Sequence, residues 1–243
     1  MTGPEIDGVV FDFDGLILDT ERPVFAAWQE AFAEHGCPPL TLDEWAKEIG
    51  TSGGLDLVEL IRTRATVPFD EEAMHARRRR RRDQLLMGET ARPGVKAWLD
   101  EADQLGLPLA IASSSPLDWV EPHLERLGLL GRFAFIACFG GEVSPGAHLA
   151  RTVLGDRYLG GRVLAGKPAP DTYLAACAAI GVKPAAALAI EDSPHGVSAA
   201  KAAGLWCVAV PHEITEQLDL SHADLRLGSL ADATMLETIG RLA

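Results

Sequence analysis

The chain has few cysteines, and none of them is arranged to do chemistry. Its 243 residues contain four, Cys37, Cys138, Cys177 and Cys207. They are scattered, three inside apolar runs, with no C-x-x-C pair and no Cys/His spacing of the kind that holds zinc or a disulfide framework. Reduced packing residues are expected. No apolar run approaches the roughly 18 residues of a membrane helix, and the opening Met1-Thr2-Gly3-Pro4-Glu5 lacks a basic stretch followed by an apolar one. A cytoplasmic protein with no membrane partner is expected. Positive charge is also in deficit: 22 Lys and Arg against 35 Asp and Glu leave a formal charge of −13, which argues against nucleic acid as a partner. The exception is the uninterrupted run Arg77 to Arg82. Six arginines in a row on a helix point all the way around it, so a solvated helix salt-bridged with Glu71 and Glu72 nearby is expected rather than a binding stripe. Internal repeats and low-complexity linkers are otherwise absent, and the length suits one large α/β domain or a core with a smaller companion.

What the chain does have is a short apolar run that ends in acid. Val9-Val10-Phe11 has the β-branched and aromatic character of a central strand, and Asp12-Phe13-Asp14-Gly15 follows at once. In an open parallel sheet the carboxyl edge is where ligands bind. Asp12 and Asp14 are two apart, so in extended backbone their side chains lean to the same side and Phe13 turns away into apolar packing. Gly15 lets the chain turn where a side chain would clash.

Behind this edge the period changes. Val24, Phe25, Trp28, Phe32 and Ala33 recur at helical spacing, a second helix is expected from Thr41 to Ile49 with Glu44 completing a capping box, and further helices follow over 55–64 and 70–87. From Val95 helix and strand alternate again: helix 95–105, strand 108–112, Ser113-Ser114-Ser115-Pro116, helix 119–127 and strand 133–139. Residues 140–165 read as an irregular insertion. Gly166-Lys167-Pro168-Ala169-Pro170-Asp171 then leads into a helix over 171–180, with Asp171 expected to cap it and to hold Lys167. Strand 187–190 ends in Glu191-Asp192-Ser193, and helix 196–203, strand 206–210 and a C-terminal helix over 231–242 complete the pattern.

Four polar clusters thus follow a strand or open a helix in the order Asp12/Asp14, Ser113/Ser114, Lys167 and Glu191/Asp192. Alone, each is weak: the serines would cap a helix and the lysine would sit in a solvated loop. Together they resemble the haloacid dehalogenase superfamily. The longer stretches from Asp12 to Thr20, Gly166 to Asp171 and Glu191 to Gly204 resemble its phosphatase and β-phosphoglucomutase-like branch. The resemblance spans nearly the whole chain.

It implies a Rossmann-like three-layer α/β core with a parallel sheet, formed by residues 1–19 and 91–243, and a small all-helical cap formed by 20–90. It also implies magnesium, a small phosphorylated metabolite such as a sugar phosphate as substrate, and an aspartyl phosphate on Asp12. Asp14 would be general acid and then general base, Ser113 and the Ser114 backbone N–H would bind the phosphoryl group, and Lys167 would offset its charge. Asp12, Asp14 through its backbone carbonyl, Glu191 directly or through water, and Asp192 would hold the metal. A monomer is expected. Where β-phosphoglucomutases carry a cap histidine and a phosphate-clamping arginine, this chain has Val24 and Gly53. Phosphomonoester hydrolysis is therefore expected, with a phosphosugar mutase as the alternative and a silent binding module as a third reading.

Overall fold

The computed structural model describes residues 4–45, 56–139 and 165–242. β1 (Gly8–Phe11) opens the sheet. Four helices follow, α1 (Glu21–Glu34), α2 (Leu42–Trp45), α3 (Leu57–Arg64) and α4 (Glu71–Leu86), before helix and strand alternate as α5 (Val95–Leu105), β2 (Leu109–Ser113), α6 (Leu117–Leu127) and β3 (Phe135–Cys138). The chain resumes with α7 (Asp171–Ala179), β4 (Ala187–Glu191), α8 (Pro194–Ala203), β5 (Trp206–Ala209), β6 (Leu225–Arg226) and α9 (Met235–Ile239).

All strand pairs are parallel, in the order β3-β2-β1-β4-β5-β6. β1 is central, with Val10 opposite Ala110 on one side and Ala189 on the other. A strand buried on both faces has no polar side, which is why β1 is continuously apolar. The two-residue period sorts its side chains into separate layers. Val9 and Phe11 join large residues such as Trp98, Leu124 and Ile190 under α5, α6 and α9, whereas Val10 joins an alanine-rich layer under α7 and α8. Small side chains there let the helices lie close to the strands.

The chain moves outward from β1 through β2 to β3, then returns to β4 on the other flank. This reversal leaves a crevice outside the carboxyl ends of β1 and β4. Asp12 and Glu191 stand at those two ends. Helices α1 to α4 pack through a core of their own, with Trp28, Phe32, Trp45, Ile61 and Met74 at its centre and Ile214, which follows β5, against it. The capping box at Thr41 and Glu44 forms as expected, the Thr41 hydroxyl accepting the Glu44 N–H at 3.2 Å. The rest of that expected helix, with Gly53 and the 140–164 part of the expected insertion, lies outside the described residues.

Two expectations are corrected, and one strand is found that the sequence reading did not expect. The C-terminal helix is only Met235–Ile239, because Thr234 and Glu237 build a capping box that starts it late. β6 is a two-residue strand, too short to show a period. Asp171 does not cap its helix: Pro170 occupies that position, and Asp171 is the first helical residue, where its charge favours the helix N-terminus.

The arginine run is paired differently from the expectation. Arg77 and Arg81 reach across to Glu34 and Glu30 of α1 at 3.0 and 2.9 Å, while Glu71 is taken by Arg62 of α3. Arg78 and Arg82, four apart on the neighbouring face, lie over the rings of Trp28 and Trp119 at 4.3 and 4.4 Å. Burial lowers the pKa of Arg78 to about 10. All four cysteines are buried and unpaired, and no helix among the described residues is long and apolar enough to cross a membrane.

Candidate active site

β1 delivers Asp12 to the sheet edge, where it is 5 % exposed. The Lys167 ammonium bridges Asp12 and Glu191, and only 3 % of Lys167 is exposed. Burial by itself lowers the pKa of the lysine, but the two carboxylates outweigh that penalty and raise it. Its loop is tied to β2 by the Lys167 backbone N–H, which donates to the Ser114 hydroxyl at 3.1 Å. Asp12 itself is pushed up by burial and by the charges of Glu191, Asp192 and Asp14, with Lys167 opposing.

Glu191 ends β4 with every lone-pair direction engaged. Its Oε1 accepts from Lys167 and from the Tyr173 hydroxyl at 2.7 Å. Its Oε2 accepts the Asp192 and Ser193 N–H groups at 3.0 and 3.3 Å and the Ser193 hydroxyl at 3.2 Å. Ser193 also caps α8, whose Gly196 must be glycine because a Cβ there would fall 1.9 Å from the Glu191 carboxylate. Asp192 is less furnished: His212 Nε2 lies 3.0 Å from its Oδ2, and burial raises its pKa against that partner. Gly15 completes the fit. Its φ of +76° suits glycine, and a Cβ would lie 2.2 Å from Asp192 Oδ2. Arg92 braces the same turn, donating to the Gly15 carbonyl and to that of Pro211 at 3.1 Å.

Asp14 faces another way. Its Oδ2 accepts the Ser115 hydroxyl at 2.6 Å, with the Ser113 hydroxyl at 3.4 Å, and its Oδ1 accepts the Trp119 indole N–H at 2.8 Å. Phe13, between the two aspartates, is fully buried and stacks on His123. Ser113, the last residue of β2, is 1 % exposed, and its oxygen accepts the Ser115 N–H at 3.0 Å. All seven residues expected at the site thus gather at the ends of β1, β2 and β4 and in the Lys167 loop. Asp12, Glu191 and Asp192 present carboxylate oxygens within 4.8 Å of one another, an all-oxygen donor set that fits a hard divalent cation. The Asp14 side chain is not part of that group.

Residues 6–204 match the haloacid dehalogenase-like hydrolases. The chain belongs to this family. Among the relatives of this hydrolase, YhcW of Bacillus subtilis, named as a phosphatase, is 40% identical over 227 residues, covering 93% of each chain. The β-phosphoglucomutase of Bacillus subtilis is 31% identical over 210 residues, covering 83% of this chain and 82% of the mutase. Among solved structures, a mutant CbbY from Rhodobacter sphaeroides in complex with xylulose-(1,5)bisphosphate superposes with a TM-score of 0.66 at 27% identity, covering 93% of this chain and 96% of that one.

Five residues around the cluster escaped the sequence reading: Tyr173, His212, Ser115, Trp119 and Arg92. Ser115 stands in the same serine run as Ser113, the one signal that could have found it, whereas Trp119 near the start of α6 has the pattern of a core residue. His212 follows β5 by three residues, at the carboxyl edge. Tyr173 and Arg92 carry no signal in spacing, since their contacts are made only when distant segments meet.

Proposed function

We propose that this hydrolase is a magnesium-dependent phosphatase of small phosphomonoesters, with sugar phosphates as the substrate class, and that it works through an aspartyl phosphate on Asp12. The observation that carries this reading is a buried carboxylate, Asp12, held by a buried lysine at a crevice where Asp192 brings a second carboxylate within reach of the same cation and the Asp14 carboxyl stands beside them. The names of the phosphatase-like and sugar-phosphate-acting relatives agree with it.

The Asp12 carboxylate attacks phosphorus, and the bond from phosphorus to the leaving oxygen breaks. Asp14 gives its proton to that oxygen and the alcohol departs. In the second half, Asp14 takes a proton from water as the water oxygen attacks phosphorus, which returns the Asp12 carboxylate and inorganic phosphate. Ser113, whose oxygen accepts the Ser115 N–H and whose hydroxyl reaches Asp14 Oδ2 only at 3.4 Å, turns that hydroxyl to a phosphoryl oxygen. Lys167 offsets charge between Asp12 and the phosphoryl group. Asp12 and Asp192 have oxygens left to ligate a metal, whereas Glu191 orients Lys167 and Asp192. A bound magnesium ion would neutralise the remaining carboxylate charge and polarise the phosphoryl group. In the same reading, residues 20–90 act as a cap that closes over the crevice and excludes bulk water.

Val24 is half-buried against the α1–α4 core and cannot shuttle a proton, which favours transfer to water over transfer to a second sugar. The test is phosphate release from a panel of sugar phosphates and other phosphomonoesters, with magnesium and with a chelator. Conversion of β-glucose 1-phosphate to glucose 6-phosphate, primed with the bisphosphate, is followed alongside. Magnesium-dependent release without isomerisation is expected. Isomerisation outpacing release would replace the phosphatase reading with the mutase one.

A further inference from the structure

The donors around Asp14 are not equivalent. A serine hydroxyl donates or accepts, so Ser115 and Ser113 pair with Oδ2 whether or not that oxygen bears a proton. The indole N–H of Trp119 can only donate. The oxygen it faces, Oδ1, serves best as the carbonyl oxygen when the carboxyl is protonated, because a carbonyl oxygen accepts a hydrogen bond better than an O–H oxygen does. A proton carried by Asp14 is therefore favoured on Oδ2, the oxygen turned toward Ser113 at the end of β2.

Trp119 is itself held from two sides. The Arg82 guanidinium of α4 lies 4.4 Å over its ring, and His123 packs edge-on at 4.7 Å. His123 in turn stacks on Phe13 at 6.3 Å, between the two aspartates. Burial, with Arg126 beside it, lowers the pKa of His123. The indole is the end of a wall that runs from α4 through α6 to the Asp12–Asp14 loop.

We propose that Trp119 is a positioning residue for proton transfer: by donating to Oδ1 it assigns the transferable proton of Asp14 to Oδ2, and Arg82 fixes the indole in that orientation. This rests on Asp14 being the proton donor of the proposed reaction. As the phosphorus–oxygen bond breaks, its electron pair stays on the leaving oxygen and the Oδ2 proton passes to it. Asp14 is left as a carboxylate whose two oxygens already have donors.

The experiment measures phosphoenzyme formation by rapid quench with magnesium present, using two substrates. A sugar phosphate has a poor leaving group that needs the proton. 4-Nitrophenyl phosphate releases a phenolate that does not. Trp119→Phe keeps a ring for Arg82 and His123 and deletes the N–H. It is expected to slow the sugar phosphate about tenfold or more and 4-nitrophenyl phosphate by less than about threefold, with KM for both within about twofold. Benzothienylalanine at position 119, which keeps the two-ring shape with sulfur in place of N–H, gives the same readout without a change of packing. Equal slowing of both substrates, or of neither, would overturn the proposal. Arg82→Ala is expected to show the same split at a smaller size, and its absence would remove Arg82 from the proposal. Asp14→Asn separates the two levels. A leaving-group split there without one at Trp119 overturns only the positioning role, whereas no split at Asp14→Asn overturns the reading of Asp14 as the acid.

Discussion

The carboxyl edge of the sheet and the helices between β1 and α5 both rely on charge, but they place it in opposite settings. At the edge, Asp12, Lys167 and Glu191 are almost wholly removed from solvent. On the helices, Arg77 and Arg81 meet Glu34 and Glu30 with each side chain more than 40% exposed. Water screens the second set and not the first, so a similar ion-pair distance has different consequences. The arginines that matter on α4 are the two that leave the charge ladder and lie on tryptophan, because a ring face takes a guanidinium partly out of water while its π face offsets some of the lost solvation.

The contrast predicts a graded series of effects. Largest should be Lys167→Met, which leaves Asp12 and Glu191 buried without a counter-charge. A loss of about 3–5 kcal/mol in urea unfolding is expected, together with loss of phosphate release. A change below about 1 kcal/mol would mean that burial does not distinguish the two regions. Next is Tyr173→Phe, which removes a hydrogen bond from a buried carboxylate. About 2 kcal/mol of destabilisation is expected, and an unchanged midpoint would show that Lys167 and Ser193 alone satisfy Glu191.

Smaller again is the split within the arginine run. Arg78→Ala should cost about 1 kcal/mol through its contact with Trp28, whereas Arg81→Ala should stay within about 0.5 kcal/mol and lose even that at high salt. Equal losses would dissolve the distinction between ring-stacked and ladder arginines. Smallest is an acid-limb effect on the helices. Arg64 and the Thr41 N–H lower the pKa of Glu44 from 4.5 to about 2. A carboxyl depressed in the folded state contributes stability above 4.5 and loses it as pH falls toward 2. The stability difference between the parent and Glu44→Gln should therefore shrink across that window. A difference that is flat with pH would sever Glu44 from its ion pair.

How far the site was legible follows from the same contrast. Asp12, Ser113 and Glu191 were readable because each stands at the end of an apolar strand, and strand order at a parallel edge brings such ends together. Lys167 was readable only through its place in the sequence of motifs. Tyr173 and Trp119 were not, because a tyrosine and a tryptophan inside amphipathic helices have the pattern of core residues. Their polar ends find Glu191 and Asp14 only after α7 and α6 have packed. The arginine run misled for a related reason: its neighbours in sequence are Glu71 and Glu72, while its neighbours in space are on α1 and at Trp119.

By itself the sequence determined the parallel α/β sheet, the helical segment behind β1 and the carboxylates that meet at the edge, because local period and strand ends are written in consecutive residues. The tertiary structure alone decided which donors saturate Glu191, which oxygen of Asp14 faces an indole and which arginines leave the solvent. Tyr173 lies 18 residues from Glu191 and Trp119 lies 105 from Asp14, and only packing selects such partners among the many groups able to meet.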